Sequence, residues 1–346
     1  MINVNNIEEL IKKKALELGY EACGIIKVEE MKSYAERLNE NVEPFPELKS
    51  IYKKLLYPYA VPQESHEWAK SIIICVSRYG QYKLPDNISS QIGKHYWFDV
   101  RKAKNTEEYN NRILFDNYLN TLGLKAFRDD LGFGTTAYKW AAQKAGLGVI
   151  RKNSLFYTNS GSWVVMDSWL VDKEMELIDT PSLKPCPNAC TKCQDACRTK
   201  ALVKPYTVNA LKCITYLTSI ADDLPPEELR EKIGGCIYGC DACQDACPMN
   251  KNCLSEEEDF PDVNKIAEYM SLENVFNMDD KIFREIIQPK FWYIRERNLW
   301  KWKANSIIAM ANNFESKYEK YLKIACDDEH EKVREIAKWA CAKLSI

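Results

Sequence analysis

Two stretches of the chain, CQDACRTK from Cys193 and CQDACPMN from Cys243, carry the same pentapeptide fifty positions apart. Each closes a cysteine-dense run: Cys186-x3-Cys190-x2-Cys193-x3-Cys197, and Cys236-x3-Cys240-x2-Cys243-x3-Cys247-Pro248. Nine of the fourteen cysteines lie between Cys186 and Cys247, and Cys253 follows closely. A disulfide scaffold would be small and exported, whereas clustered thiolates in a reducing compartment bind metal. Zinc favours two short pairs separated by a dozen or more residues. Ferredoxin-type 4Fe–4S clusters use C-x2-C-x2-C-x3-C-P, in which the fourth cysteine serves the neighbouring cluster. Two such runs therefore interlock around two 4Fe–4S clusters, which explains the repeat. Eight ligands are needed and nine cysteines are present. Repeat symmetry would use Cys236 and leave Cys213 free, and the runs alone do not decide between them.

The elements that position these runs can be read from the apolar pattern. Residues 1–175 alternate helix and strand signals: a helix near 7–19, strands near Cys23–Ile26 and Ser71–Ser77, and a helix near Glu107–Leu122. A helix near Thr136–Ala145 then precedes a strand near Ser162–Asp167. This predicts an α+β chain opening with an α/β sandwich, with Tyr57–Pro62 as a proline-rich loop. Residues 176–255 form the cluster module, entered through Pro181, Pro185 and Pro187. Residues 256–346 are helical. ANSIIAMANN and REIAKWACAK recur about thirty residues apart with apolar residues at helical spacing, the pattern of HEAT-like stacked helix pairs.

With 346 residues, 46% hydrophobic and 28% charged, the chain can bury two or three cores. A net charge of −2 gives no global attraction to nucleic acid, so such a partner must meet a local patch. Apolar runs such as Ile72–Val76 are too short to span a membrane, and the amphipathic start is not a signal sequence, so the protein is expected to be cytoplasmic with no membrane partner. KFWYIRERNLWKWK interleaves Lys290, Arg295, Arg297, Lys301 and Lys303 with five aromatics, a face able to hold phosphates while rings stack on bases. No GxGxxG or GKS/T motif points to a nucleotide. Iron–sulfur clusters move single electrons and break few bonds alone, so a second cofactor or partner is expected.

Tyr206–Asn250 closely resembles the ferredoxin module of the epoxyqueuosine reductases, cobalamin-dependent iron–sulfur enzymes that complete the queuosine base of transfer RNA. LELGYEACGI and KAGLGVIRKNSLFYTNSGSWVV resemble that family's opening and its AGLGW-x-GKN…GS stretch, and the C-terminal helices match in kind. The resemblance implies one cluster on Cys186, Cys190, Cys193 and Cys247, and a second on Cys197, Cys213, Cys240 and Cys243. It leaves Cys236 spare, at a position where the family usually has arginine. It also implies base-off cobalamin against the N-terminal domain, an external electron donor of flavodoxin or ferredoxin type, and transfer RNA as partner. Gly146, Gly148, Lys152, Asn153, Ser162 and Trp163 would form the corrinoid wall, with the glycines letting backbone approach the ring.

The chain departs from the family at its acid. The family's proton-donating aspartate falls on Gly132 when counted back from Ala145, and its D-Y-H helix start reads Glu108-Tyr109-Asn110. Asp129, Asp130 and Tyr138 are the nearest replacements. The three histidines, His66, His95 and His330, read as surface or capping residues. Two functions follow: a cobalamin-dependent reductase acting on transfer RNA, or on a diverged substrate because the aspartate is lost, and a non-enzymatic electron carrier that reduces another protein's corrinoid.

Overall fold

The structure, a computed structural model, describes residues 6–346 except 86–87, 89, 99–105, 130–134, 181–182, 256 and 261–262. Its N-terminal part is built on a four-stranded antiparallel sheet in the order β1-β2-β4-β3. The strands are β1 (Ala22–Lys27), β2 (Ser71–Arg78), β3 (Ala126–Phe127) and β4 (Val164–Val171). Gly24 pairs with Ile74, and Ile74 with Ser168. β2 reads as a continuous apolar run because both faces of the sheet are covered. On one face Ile25, Ile73 and Trp169 pack against Ile11 and Ala15 of α1 (Ile7–Glu17) and Phe115 and Leu119 of α2 (Glu107–Thr121). On the other, Ile26, Ile72, Ile74 and Leu170 pack against Ala141, Ala142 and Ala145 at α3 (Tyr138–Lys144). The start of α2 is capped by Thr106, whose Oγ1 accepts from the Tyr109 N–H at 3.2 Å, with Glu107 and Glu108 in the first turn.

The expected elements fall close to those observed, with one difference of substance. The strand expected to end at Asp167 continues to Val171. Asp167 and Ser168 look like a polar break, but their partners lie elsewhere in the chain. Asp167 accepts from Tyr20 Oη at 3.1 Å and pairs with Arg112 at 3.5 Å, and Ser168 bonds Thr135 at 2.7 Å.

Each cysteine run carries a short helix, α4 (Lys192–Ala196) and α5 (Ala242–Asp245), and the two pack on each other. The C-terminal part is helical, led by α6 (Leu299–Asn312) against α7 (Glu331–Leu344). The two recurring segments lie on these helices. One apolar cluster runs from Tyr79, Trp97 and Trp163 through Ile214, Ile233 and Tyr238 to α6 and α7. The cysteine module is thus bonded into a core shared with both neighbours. No helix among the described residues is long and apolar enough to cross a membrane.

Candidate iron–sulfur and substrate site

The repeat places its cysteines equivalently: Cys193 and Cys243 are each the second residue of a short helix, α4 and α5. Cys186, Cys190, Cys193 and Cys247 line one small cavity together with Arg151, Lys152, Asn153, Lys192 and Pro248. Burial pushes the Cys193 thiol up, and the nearby Cys186 and Cys247 add to the shift. A second group gathers deeper. Burial raises the Cys243 thiol well above its usual range, helped by Cys240, Cys213 and Cys197. Burial likewise raises Cys213, with Cys240 and Cys197 among its neighbours. Cys193 thus neighbours Cys186 and Cys247, Cys213 and Cys243 neighbour Cys240 and Cys197, and Cys236 lies against Cys240. A bound cation makes up for the cost of four crowded, deprotonated sulfurs. Among the described residues no three His, Cys, Asp or Glu side chains converge tightly enough for a single metal ion. Zinc would draw its thiolates to about 2.3 Å each from one centre, whereas a four-iron cluster spreads them over separate irons.

The residues expected to wall a corrinoid have other occupations. Lys152 is buried, and its Nζ donates to the carbonyls of Pro187, Asn188 and Cys190 at 2.8, 2.7 and 2.9 Å, tying down the first cysteine loop. Asn153 Nδ2 donates to the Cys243 carbonyl at 3.2 Å and to Tyr157 Oη at 2.9 Å. Ser162 Oγ donates to Gln244 Oε1 and accepts from Asn250 Nδ2, both at 2.8 Å. Trp163 sits in the core at 1% exposure. A Cβ on Gly146 (φ +75°) would lie 1.7 Å from the Asp179 carbonyl oxygen, and one on Gly148 2.2 Å from that of Tyr157. These glycines admit the protein's own backbone, not a ring. The six residues do not fit a corrinoid wall; three of them, Lys152, Asn153 and Ser162, fasten the cluster loops to their surroundings. The residues that complete this fastening, Gln244 and Asn250, escaped sequence reading. The repeated glutamine was the available signal, since Gln194 of the first copy also fastens its surroundings, donating to the Leu202 carbonyl at 3.4 Å.

Of the acid candidates, Asp130 and the counted position Gly132 lie outside the described residues. Asp129 is half-buried beside Tyr59, whose phenol is raised by burial, then by Asp129 and Tyr293. Tyr138 packs its ring against the α3 face of the sheet. The next residue, Lys139, donates to the Ser154 carbonyl at 2.8 Å and lies within electrostatic reach of Cys243. Tyr96, not anticipated from sequence, has its ring 4.8 Å from Tyr238 and 5.9 Å from Tyr293. Its phenol is raised by burial, then by Tyr293 and Cys213. Tyr96 and Tyr293 are thus in ring contact, Cys213 lies within electrostatic reach of Tyr96, and Tyr293 and Asp129 lie within electrostatic reach of Tyr59.

The basic–aromatic stretch divides. Phe291 and Trp302 are core residues, Lys301 is 3% exposed and donates to the Ala221 carbonyl, and Lys303 pairs with Asp328 at 3.6 Å. Lys301 is thereby removed from the expected phosphate-binding set, because its ammonium points into the fold. Arg295 and Arg297 are exposed beside the stacked Trp292–Tyr293 pair, whose rings are 4.1 Å apart.

A family model for a 4Fe–4S double cluster binding domain matches residues 186–250. Over 298 residues the chain is 31% identical to epoxyqueuosine reductase of Cellulophaga algicola, spanning 81% of this chain and 91% of that one. It is 27% identical over 317 residues to the epoxyqueuosine reductase of Cyclobacterium marinum, spanning 86% and 97%. A crystal structure of epoxyqueuosine reductase with a tRNA-Tyr epoxyqueuosine-modified stem loop superposes with a TM-score of 0.76 at 24% identity, over 99% of this chain and 92% of that one.

Proposed function

This chain belongs to the epoxyqueuosine reductase family, and on that premise we propose that it is an iron–sulfur oxidoreductase that reduces a modified base in transfer RNA. The observation that carries the reading is the series from Cys213 through Tyr96 and Tyr293 to Tyr59 and Asp129. It keeps a buried thiol within electrostatic reach of an aromatic pair, and one ring of that pair and a carboxylate within electrostatic reach of the Tyr59 phenol. Deoxygenating an epoxide takes two electrons and two protons and releases the oxygen as water. Two clusters, each passing one electron at a time, supply the electrons. We assign the first cluster to Cys186, Cys190, Cys193 and Cys247, and the second to Cys197, Cys213, Cys240 and Cys243. The gathering of the thiols into these two sets supports that division. Asp129 is the assigned proton donor. Its place beside the Tyr59 phenol favours it over Tyr138, whose ring is taken up in packing.

Arg295 and Arg297 would take phosphates of the RNA, with Trp292 and Tyr293 offering faces for bases. Base-off cobalamin, implied by the family, would have to be met by residues outside the six named for it. We read 1–175, 176–255 and 256–346 as sandwich, cluster and HEAT-like units. The test is anaerobic incubation with a reduced flavodoxin- or ferredoxin-type donor and an epoxyqueuosine-modified stem loop, followed by nucleoside mass analysis. The product should be lighter by one oxygen atom. An unchanged nucleoside, with about eight irons per chain and clusters that the donor reduces normally, would leave an electron carrier instead.

A further inference from the structure

A guanidinium is built into the wall of the second thiol set. Arg198 follows Cys197 directly, and its Nη2 donates to the Ile233 carbonyl at 2.9 Å and to the Cys236 sulfur at 3.2 Å. Cys240 lies within its electrostatic reach. Cys236 is buried at 7% exposure, with the Cys240 thiol as its neighbour. The head group has a niche made for it. Gly234 adopts φ +63°, and a Cβ there would stand 2.3 Å from Arg198 Nη1. Only glycine combines that backbone with that empty space. The turn is pinned from α6, where Asn312 Nδ2 donates to the carbonyls of Arg230 and Gly234 at 2.9 and 3.2 Å. Among the described residues the partners of Arg198 are thiols and a carbonyl, and no carboxylate.

An arginine held half inside a protein without a carboxylate suits negative charge that arrives later. Here that charge is the sulfur of a cluster ligand. We propose that Arg198, with the Cys236 thiol it binds, is a positioning residue that raises the reduction potential of the second cluster. This rests on the reading of Cys197, Cys213, Cys240 and Cys243 as the second cluster's ligands. The sign follows from charge. Each added electron makes the cluster more negative, so hydrogen bonds to its sulfurs and a neighbouring cation stabilise the reduced form. The first set has cations of its own: Arg151 Nη1 stands 3.7 Å from the Cys186 sulfur, and Lys152 and Lys192 line the same cavity. Cys236, the ninth cysteine, thereby has a role that is not ligation.

The test uses the full chain, reconstituted anaerobically, with the two midpoints measured by potentiometric titration followed by electron paramagnetic resonance. The midpoint that disappears in Cys213→Ala belongs to the second cluster. Arg198→Gln should keep the iron and lower that midpoint alone. The expected shift is about tenfold in the reduction equilibrium, or about 59 mV for one electron. Arg198→Lys, which keeps the charge, should recover part of it. Cys236→Ala should shift the same midpoint in the same direction by less. Unchanged midpoints in Arg198→Gln, or equal shifts of both clusters, overturn the proposal. If Arg198→Gln loses iron, Cys236→Ala carries the test, and an unchanged midpoint there overturns the proposal as well. If Cys236→Ala loses half its iron while Cys213→Ala keeps all of it, the ligand assignment itself has failed, a different result from failed tuning.

Discussion

Lys152→Met separates the two roles that Lys152 has been given. The substitution keeps the length of the apolar stem and deletes an ammonium that donates to three carbonyls of the first cysteine loop. A hydrogen bond from a charged donor contributes about 1.5–3 kcal/mol. Pro187 and Asn188 are exposed, so water can replace the lysine at their carbonyls; Cys190 is half-buried. Removing a buried ammonium also returns its desolvation cost. Together these leave a net loss of about 2–4 kcal/mol, or about 30- to 1,000-fold in the equilibrium that orders the loop. Since Cys186 and Cys190 belong to that loop, the loss falls on one cluster. Reconstituted Lys152→Met should hold about four irons where the parent holds about eight, with the second cluster's resonance signal intact. A variant that kept all its iron and its thermal midpoint, yet lost retention of added cobalamin, would refute the reasoning and restore Lys152 to the cofactor wall.

Asp129→Asn should lower turnover about 100- to 10,000-fold without changing iron content, whereas Tyr138→Phe should change it little; single-turnover nucleoside analysis separates the two, and a fully active Asp129→Asn would place the acid elsewhere. Arg295→Ala and Arg297→Ala should each weaken stem-loop binding and reduce the salt slope by about one, while Lys301→Met leaves the slope unchanged, as fluorescence anisotropy against salt would report. Gly146→Ala combines φ +75° with a Cβ 1.7 Å from the Asp179 carbonyl oxygen and should cost about 3 kcal/mol or more in thermal unfolding. Gly19→Ala, at φ +83° with nothing within 4 Å, should cost only about 1 kcal/mol and serves as the control.

The cysteine runs could be read from sequence because ligation fixes residue type and spacing at once. The sheet could be read because strands covered on both faces become apolar runs. Occupations that depend on distant partners could not. Lys152 and Asn153 look like cofactor residues in a glycine-rich stretch, and their bonds reach 35 to 90 positions along the chain. Lys301 looks like one of five interchangeable cations until the helix buries it against Ala221. Asp167 and Ser168 look like the end of a strand because the Arg112, Tyr20 and Thr135 that satisfy them cannot be seen locally.

The same contrast bears on the acid. Counting back from Ala145 treats the proton donor as a fixed register position, as if it were a metal ligand. A cysteine ligand must keep its register because helices such as α4 and α5 set the angle between sulfurs. A donor need only arrive within hydrogen-bond reach of the reacting atom, and a loop can deliver it from several positions. What constrains it is the surface it must meet. Here that surface joins segments far apart in sequence: Tyr59 from the proline-rich stretch, Tyr96, and Tyr293 beside the exposed arginines. Asp129 stands beside Tyr59, so losing a carboxylate at position 132 need not mean losing the acid. On the proposed reading, the electrons come from the thiol side, where Tyr96 lies, and the proton from Asp129. An RNA anchored on Arg295 and Arg297 would present its base where the two meet.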